Sequence, residues 1–165
     1  MNGEQLTRWT VRLALLLYAA TLVLRYVPPP RPRLARWLWT AGCLLFFVHV
    51  AAAFHSFHHW SHANAYRETA RQTGKMVGID WGGGLYFNYL FTLTWAADAL
   101  WWWRRGAEDY GRRPRWLSAA VDAFMAFMAF NGAVVFAHGA TRWVGSAMSL
   151  LLVILAIRAR ARHSV

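Results

Sequence analysis

Apolar residues form long blocks along this chain, separated by short segments rich in arginine, proline, glycine and histidine. A block of about 20 apolar residues can cross a bilayer, because an α-helix rises about 1.5 Å per residue through roughly 30 Å of hydrocarbon. The pattern therefore predicts an all-α integral membrane protein, a single bundle of about five transmembrane helices. The predicted helices are 9–27, 37–76 (membrane part 37–57), 85–103, 116–138 and 143–160.

Residues at the block boundaries agree with these predicted helix ends. Pro28-Pro29-Pro30 stops the first helix, because proline cannot continue one. Gly82-Gly83-Gly84 lets the chain turn back into the membrane close to the second helix, and Trp101-Trp102-Trp103 closes the third as an aromatic belt. The fifth block is short, so it spans only with tilted neighbours or a locally thinner bilayer.

Composition supports a membrane location and argues against nucleic-acid binding. Of 165 residues, 58% are apolar and only 15% are charged, which is too hydrophobic for an ordinary soluble domain. The net charge of +11 comes from arginines between the apolar blocks, so no separate basic face is available for nucleic acid. The single Cys43 lies within an apolar block and is predicted to be a small packing residue.

The basic residues also predict an orientation. With five crossings, the three basic segments fall on one side, and the positive-inside rule makes that side cytoplasmic. The N-terminus and the segment 58–84 are then outside, the C-terminus is cytoplasmic, and the expected location is a plasma (inner) membrane. The basic residues are Arg25, Arg31, Arg33 and Arg36, then Arg104, Arg105, Arg112, Arg113 and Arg115, and finally Arg158, Arg160 and Arg162.

Four of the seven histidines lie between His55 and His62, where the second apolar block ends. On a continuous helix these four imidazoles fall within an arc of about 100°. The same face continues through Tyr66, Thr69 and Thr73, while charged residues take the opposite side. The register predicts a second helix that extends outward by several turns, with its His/Tyr/Thr face against protein.

This segment predicts a transition-metal or haem site at the outer surface. Neutral imidazole is a common ligand of Cu, Fe and Zn, and two imidazoles four residues apart on a helix can share one ion. A third ligand could come from His138 or Asp80; alternatively, His138 and His55 could be the axial ligands of a haem. Asp80, Asn88 and Asn131 are expected to hydrogen-bond to the metal ligands and orient them. The candidate metal ligands are His55, His58, His59, His62 and His138.

The run His55-Ser56-Phe57-His58-His59 has the form HxxHH, which resembles one histidine box of the membrane di-iron desaturases and fatty acid hydroxylases. Those enzymes carry several such boxes on the cytoplasmic side. This chain has no second box, and its segment is predicted to lie outside. The resemblance is therefore not extended to a di-iron assignment, and no reaction follows from the sequence.

Other interpretations stay open. The histidines could be structural residues at the membrane interface, or a proton relay or pH sensor. The chain could be a non-enzymatic subunit that packs against itself or a partner in the bilayer. It could also be a small proton-coupled transporter using His49 and Asp98. Considered singly, His49 is expected to donate to a backbone carbonyl, Asp98 to pair with a neighbouring Thr, Trp or Asn, and Asp122 to form a surface ion pair.

Overall fold

The computed structural model describes residues 2–137 and 139–161, without the side chains of 159–161. These residues form α-helices joined by short connections, and no strand occurs among them, so the predicted all-α class is confirmed. Two short π-helical turns, Phe54–His58 and Asn131–Val135, follow α2 and α5. The helices are α1 (Gly3–Tyr26), α2 (Pro32–Ala53), α3 (His62–Val77), α4 (Gly84–Gly111), α5 (Arg115–Phe130) and α6 (Ala140–Ala161).

Four helices of the described chain are long and apolar enough to cross a membrane: α1, α2 with its π turn, α5 with its π turn, and α6. This agrees with a membrane location. α4 has 28 residues but is not among the four. Its apolar sequence is interrupted by polar residues, among them Asn88, Thr92 and Asp98.

The ends of α1 and α2 follow from local sequence. The Asn2 side chain accepts a hydrogen bond from the Gln5 backbone N–H, and the Gln5 side-chain oxygen accepts one from the Asn2 backbone N–H, which satisfies donors that a helix start leaves free. α1 ends at Tyr26, just before the predicted proline stop. α2 begins at Pro32, where the fixed φ of proline suits the first helical position.

The core lies between α1, α2 and α4 and is mainly aromatic. Trp39 of α2 and Trp95 of α4 have ring centroids 5.3 Å apart, and Tyr18 of α1 packs against both rings. Such pairs contribute about 0.5–1.5 kcal/mol each beyond area burial. Because lipid chains are as apolar as these rings, close packing holds the helices together within a bilayer. Cys43 is buried in this core, as predicted.

α2 and α4 run antiparallel. Phe91 meets Phe46 at 4.8 Å between ring centroids, and twelve residues later Trp103 meets Trp37 at 4.7 Å. We call the end of the bundle where α1 begins and α2 ends the histidine end. The opposite end, where α1 ends and α2 begins, is the arginine end.

The predicted continuous helix 37–76 is wrong. α2 stops at Ala53, and after the π turn His59 and Trp60 have left-handed backbone conformations, with φ of 50° and 58°. A right-handed helix cannot pass through such residues, so the chain changes direction there. Ser61 then caps a separate α3 by accepting from the Asn64 backbone N–H at 3.3 Å.

α4 continues past the predicted 85–103 and bends near its end. Gly106 has a φ of 77°, a conformation that glycine adopts readily. Beyond this kink the chain returns toward the core, and Tyr110 stacks on Trp102 with ring centroids 4.3 Å apart and planes within 7°.

The predicted helix 116–138 corresponds to α5 and its π turn, which end at Val135, while the predicted 143–160 lies within α6. His138 lies outside the described residues. α6 returns from the histidine end, where Arg12 of α1 donates to Thr141 Oγ1 at 2.9 Å.

Candidate functional site

The histidine turn, residues 55–62, is built by an unusual backbone. The Trp60 N–H donates to the Phe54 carbonyl at 3.0 Å, and the Ser61 N–H donates to the His58 carbonyl at 2.8 Å. These bonds close the wide π turn and hold two successive non-glycine residues, His59 and Trp60, in the left-handed region. Each such residue costs about 1–2 kcal/mol.

The four imidazoles of this turn point to different surroundings. His55 and His59 are exposed, and His58 is half-buried with its ring against Phe54, 5.6 Å between centroids. His62 lies against α4, where its Nδ1 is 3.1 Å from the Tyr89 hydroxyl and its ring stacks on Tyr89 at 5.9 Å. The single arc of imidazoles expected on a continuous helix is therefore broken at His59.

No group of three or more His, Cys, Asp or Glu side chains within residues 2–137 and 139–161 is placed to hold a metal ion. His138 lies outside these residues, so its predicted role as a metal or haem ligand has no structural counterpart here. The metal and haem assignments stay predictions.

The glycines before α4 lie against α3, which corresponds to the outer part of the predicted second helix, as expected. A Cβ atom at Gly82 would be 2.4 Å from the Tyr66 carbonyl oxygen, and one at Gly84 would be 3.2 Å from a Thr69 methyl carbon. Only a residue without a side chain allows this approach at Gly82. The Tyr66 and Thr69 part of the predicted face thus packs against protein.

The three residues predicted to orient the metal ligands do not lie together. Asp80 lies against Gly74, where an added Cβ would be 2.2 Å from Asp80 Oδ1. Gly74 is twelve residues beyond His62, or about 18 Å along α3, so the Asp80 carboxylate does not reach the turn. Asn131 donates to the Phe127 carbonyl at 2.7 Å within its own helix, and Asn88 is exposed near the start of α4.

His49 is half-buried and donates to a backbone carbonyl, as expected. Its Nδ1 lies 2.9 Å from the Thr7 carbonyl oxygen, and because a carbonyl only accepts, His49 donates this bond. The contact joins α2 to the first turns of α1 at the histidine end.

Asp98 pairs with different partners from those predicted. Instead of a Thr, Trp or Asn neighbour, it contacts Arg113, which lies between α4 and α5, through a direct ion pair. The Tyr110 hydroxyl donates to Asp98 Oδ2 at 2.7 Å, and Arg113 Nε donates to Ser118 Oγ at 2.8 Å. The side chains of Asp98 and Arg113 are only 3% and 5% exposed. The transporter interpretation, in which Asp98 acts with His49, stays a prediction.

Arg25 extends this cluster to α1. It donates to the Tyr110 hydroxyl at 2.8 Å and lies 3.5 Å from Asp122, the ion pair expected for that aspartate. Its guanidinium also sits over the rings of Trp39 and Trp102, about 5 Å from each centroid. We call Arg25, Asp98, Tyr110, Arg113 and Asp122 the arginine cluster.

The electrostatics of the arginine cluster favour a fixed arrangement of paired side chains. Burial alone would lower the pKa of Arg113, but the hydrogen bond and negative charge of Asp98 outweigh burial and raise it. Asp98 in turn accepts from two partners, so its charge is compensated within the bundle. The arrangement ties α1, α4 and α5 together at the arginine end.

Sequence reasoning missed Tyr110 and Arg113 as partners of Asp98, and it missed the contact of Arg25 with Tyr110. The available signal was the position of Asp98, near the end of a helix that leads directly into an arginine-rich connection. What the sequence did not reveal is the bend at Gly106, which returns that connection to the core.

Comparisons with known proteins name no relative. No protein-family model, no curated protein and no solved structure matched this chain.

Proposed function

We propose that this chain is a five-crossing membrane protein that binds a transition metal ion, Cu, Fe or Zn, at its histidine turn on the outer side. In this proposal the N-terminus is outside and the C-terminus is cytoplasmic, in a plasma (inner) membrane. The metal would serve redox chemistry or metal handling. The two parts of the proposal, topology and metal, rest on different observations.

The antiparallel course of α4 supports the fifth crossing. α4 runs beside α2 from the histidine end to the arginine end, through the Phe46–Phe91 and Trp37–Trp103 contacts. Its costliest group within a bilayer, Asp98, is paired inside the bundle. With α4 counted, the three arginine-rich segments lie on one side, as the positive-inside rule requires.

The strained backbone at His59 and Trp60 carries the metal proposal. Consecutive left-handed non-glycine residues and π turns both occur preferentially at functional sites, because the surrounding structure must support their cost. Here the strain coincides with four imidazoles in eight residues, three of them exposed. Exposed neutral imidazoles are available to a transition metal ion.

The structure limits what kind of metal site this would be. With no preformed group of three donors in the described chain, His55 and His59 would be joined by His58, by water or by His138. Structural zinc sites close all four positions with protein ligands, whereas this turn would leave positions open. We therefore expect binding that rearranges the turn and leaves room for an exchangeable ligand.

The test is titration of the purified, chelator-treated protein with Zn²⁺ and Cu²⁺ by calorimetry, followed by elemental analysis. We expect about one ion per chain, lost in the His55→Ala/His59→Ala double variant and kept in the matched control His163→Ala. Failure of the wild-type chain to bind either ion, or equal binding by the double variant, refutes the proposal. An absorption spectrum of the same protein tests the haem alternative, because a bound haem gives a strong absorption band at the blue end of the visible spectrum.

A further inference from the structure

A long groove of about 510 Å³ runs between α1, α5 and α6, from Arg12 to Tyr26 along α1, and it lies on different helices from the histidine turn. Its wall is largely apolar, and alanines and a glycine at the helix contacts keep it open. The small lining residues include Ala19, Ala126, Ala129, Ala133 and Gly145. The volume lies within the range of about 300–1,000 Å³ typical of ligand sites.

The groove has a cation at one end. Arg12 lines it at the histidine end, where its guanidinium donates to Thr141 Oγ1 at 2.9 Å and lies 5.4 Å from the Trp9 ring centroid. No ion pair joins Arg12 to a carboxylate in the part of the chain that the structure describes. By contrast, Arg8 on the same helix pairs with Glu4.

An arginine at the end of an apolar groove within a membrane protein favours an anionic ligand. A guanidinium without a counter-charge is costly at membrane depth, and it binds phosphate well because its donors match two phosphate oxygens. A ligand that fits must therefore carry a negative group at one end and an apolar chain along the groove.

The dimensions distinguish a lipid chain from a partner helix. From Arg12 to Tyr26 the groove follows α1 for fourteen residues, or about 21 Å. A helix with its side chains is about 10–12 Å across, which is far wider than an acyl chain. An extended acyl chain is long and thin enough to lie within the groove.

From these features we propose that the groove binds one anionic phospholipid, with an acyl chain between α1, α5 and α6 and its phosphate on Arg12. The proposal is independent of metal binding at the histidine turn. Gly145 supports the geometry, because a Cβ there would be 2.3 Å from the Ala133 carbonyl oxygen, and this close contact sets the separation of α5 and α6. The Arg12–Thr141 hydrogen bond keeps the guanidinium at the groove end.

The test exchanges detergent-purified protein into dioleoyl phosphatidylglycerol or dioleoyl phosphatidylcholine and counts retained lipid by native mass spectrometry. We expect one phosphatidylglycerol per chain. Arg12→Gln should weaken its retention about tenfold, the effect of one charge-assisted hydrogen bond, whereas the control Arg8→Gln leaves it unchanged. Ala126→Phe should fill the groove and abolish retention, whereas Ala123→Phe, an exposed site on α5 outside the groove, should not.

Each other outcome overturns the proposal. Equal retention of the two lipids, or retention that Arg12→Gln does not change, excludes the phosphate contact. Displacement by millimolar inorganic phosphate alone shows a simple anion site, and a mass of two chains without lipid shows that a second copy occupies the groove. Thermal unfolding of each variant separates loss of lipid from loss of fold.

Discussion

Polar side chains at the two ends of the bundle differ in burial and in hydrogen bonding. At the arginine end, Asp98 and Arg113 are almost completely buried, and each has at least two hydrogen-bond partners. At the histidine end, His55 and His59 are exposed on a backbone that is itself strained. The arginine end is therefore fixed by buried pairs, while the histidine end leaves imidazoles accessible to solvent on a strained backbone.

The comparison also distinguishes two roles for a polar residue in an apolar chain, which are joining helices and binding a ligand. Asp98 is expensive in a bilayer, but its partners compensate it, and its role is to hold helices together. The histidine turn is less buried and less compensated, which is more typical of a binding site. Burial and partners, more than residue type, distinguish the two.

The largest effect on the free energy of unfolding should come from breaking the buried ion pair between Asp98 and Arg113. Asp98→Asn leaves the Arg113 guanidinium buried without its direct ion-pair partner, which costs about 3–5 kcal/mol of unfolding free energy. Reversible denaturation in mixed micelles measures this loss. The double variant Asp98→Asn/Arg113→Met should recover most of the stability, because neither charge is then left alone. If the single variant is within about 1 kcal/mol of wild type, the arginine cluster does not stabilise the bundle.

Tyr110→Phe should cause a smaller loss of unfolding free energy. The change removes the hydroxyl that donates to Asp98 and accepts from Arg25 but keeps the ring stacked on Trp102. We expect a loss of about 1–2 kcal/mol, the value of hydrogen bonds to charged groups. Tyr86→Phe, an exposed tyrosine of α4, is the control. Equal stability of the two variants would mean that the hydroxyl contacts are not needed.

The sequence predicted the helices well because a long apolar run is a local property. The first helix ends just before its prolines, and the glycines before α4 approach Tyr66 as expected. The break at His59 was not predictable, because helical periodicity continued through it in the sequence. The direction of α3 is instead selected by its packing against α4, a contact between distant parts of the chain.

The candidate site was predicted less well for a related reason. Asp98 was recognised as an unusual residue, but its partners come from a segment that returns through the bend at Gly106. A single left-handed glycine decides whether Tyr110 and Arg113 reach Asp98 or point away from it. Glycine is compatible with either path, so its identity alone does not reveal the bend.

A change that relieves backbone strain at the histidine end should raise the free energy of unfolding, whereas the two changes at the arginine end should lower it. His59→Gly places glycine where φ is 50°, so it should raise the unfolding free energy by up to about 1 kcal/mol. Ala53→Gly, in the last turn of α2, is the control and should lower it by about 0.5–1 kcal/mol. The same denaturation measurement compares them. A loss in both variants would show that the left-handed conformation at His59 carries no strain.

The smallest effect should come from the exposed ion pair on α3, which tests whether charge alone stabilises the histidine end. The hydrogen bonds from Arg71 lower the pKa of Glu68 to about 2, from an ordinary 4.5. A lowered carboxyl pKa contributes stability above pH 4.5 that is lost as the pH falls toward 2. Both side chains are at the surface, where solvent screens the pair, so Glu68→Gln should hardly change the thermal midpoint at pH 7. A difference between wild type and Glu68→Gln that is large at pH 7 and vanishes at pH 2 would show instead that α3 depends on this pair for its position on α4.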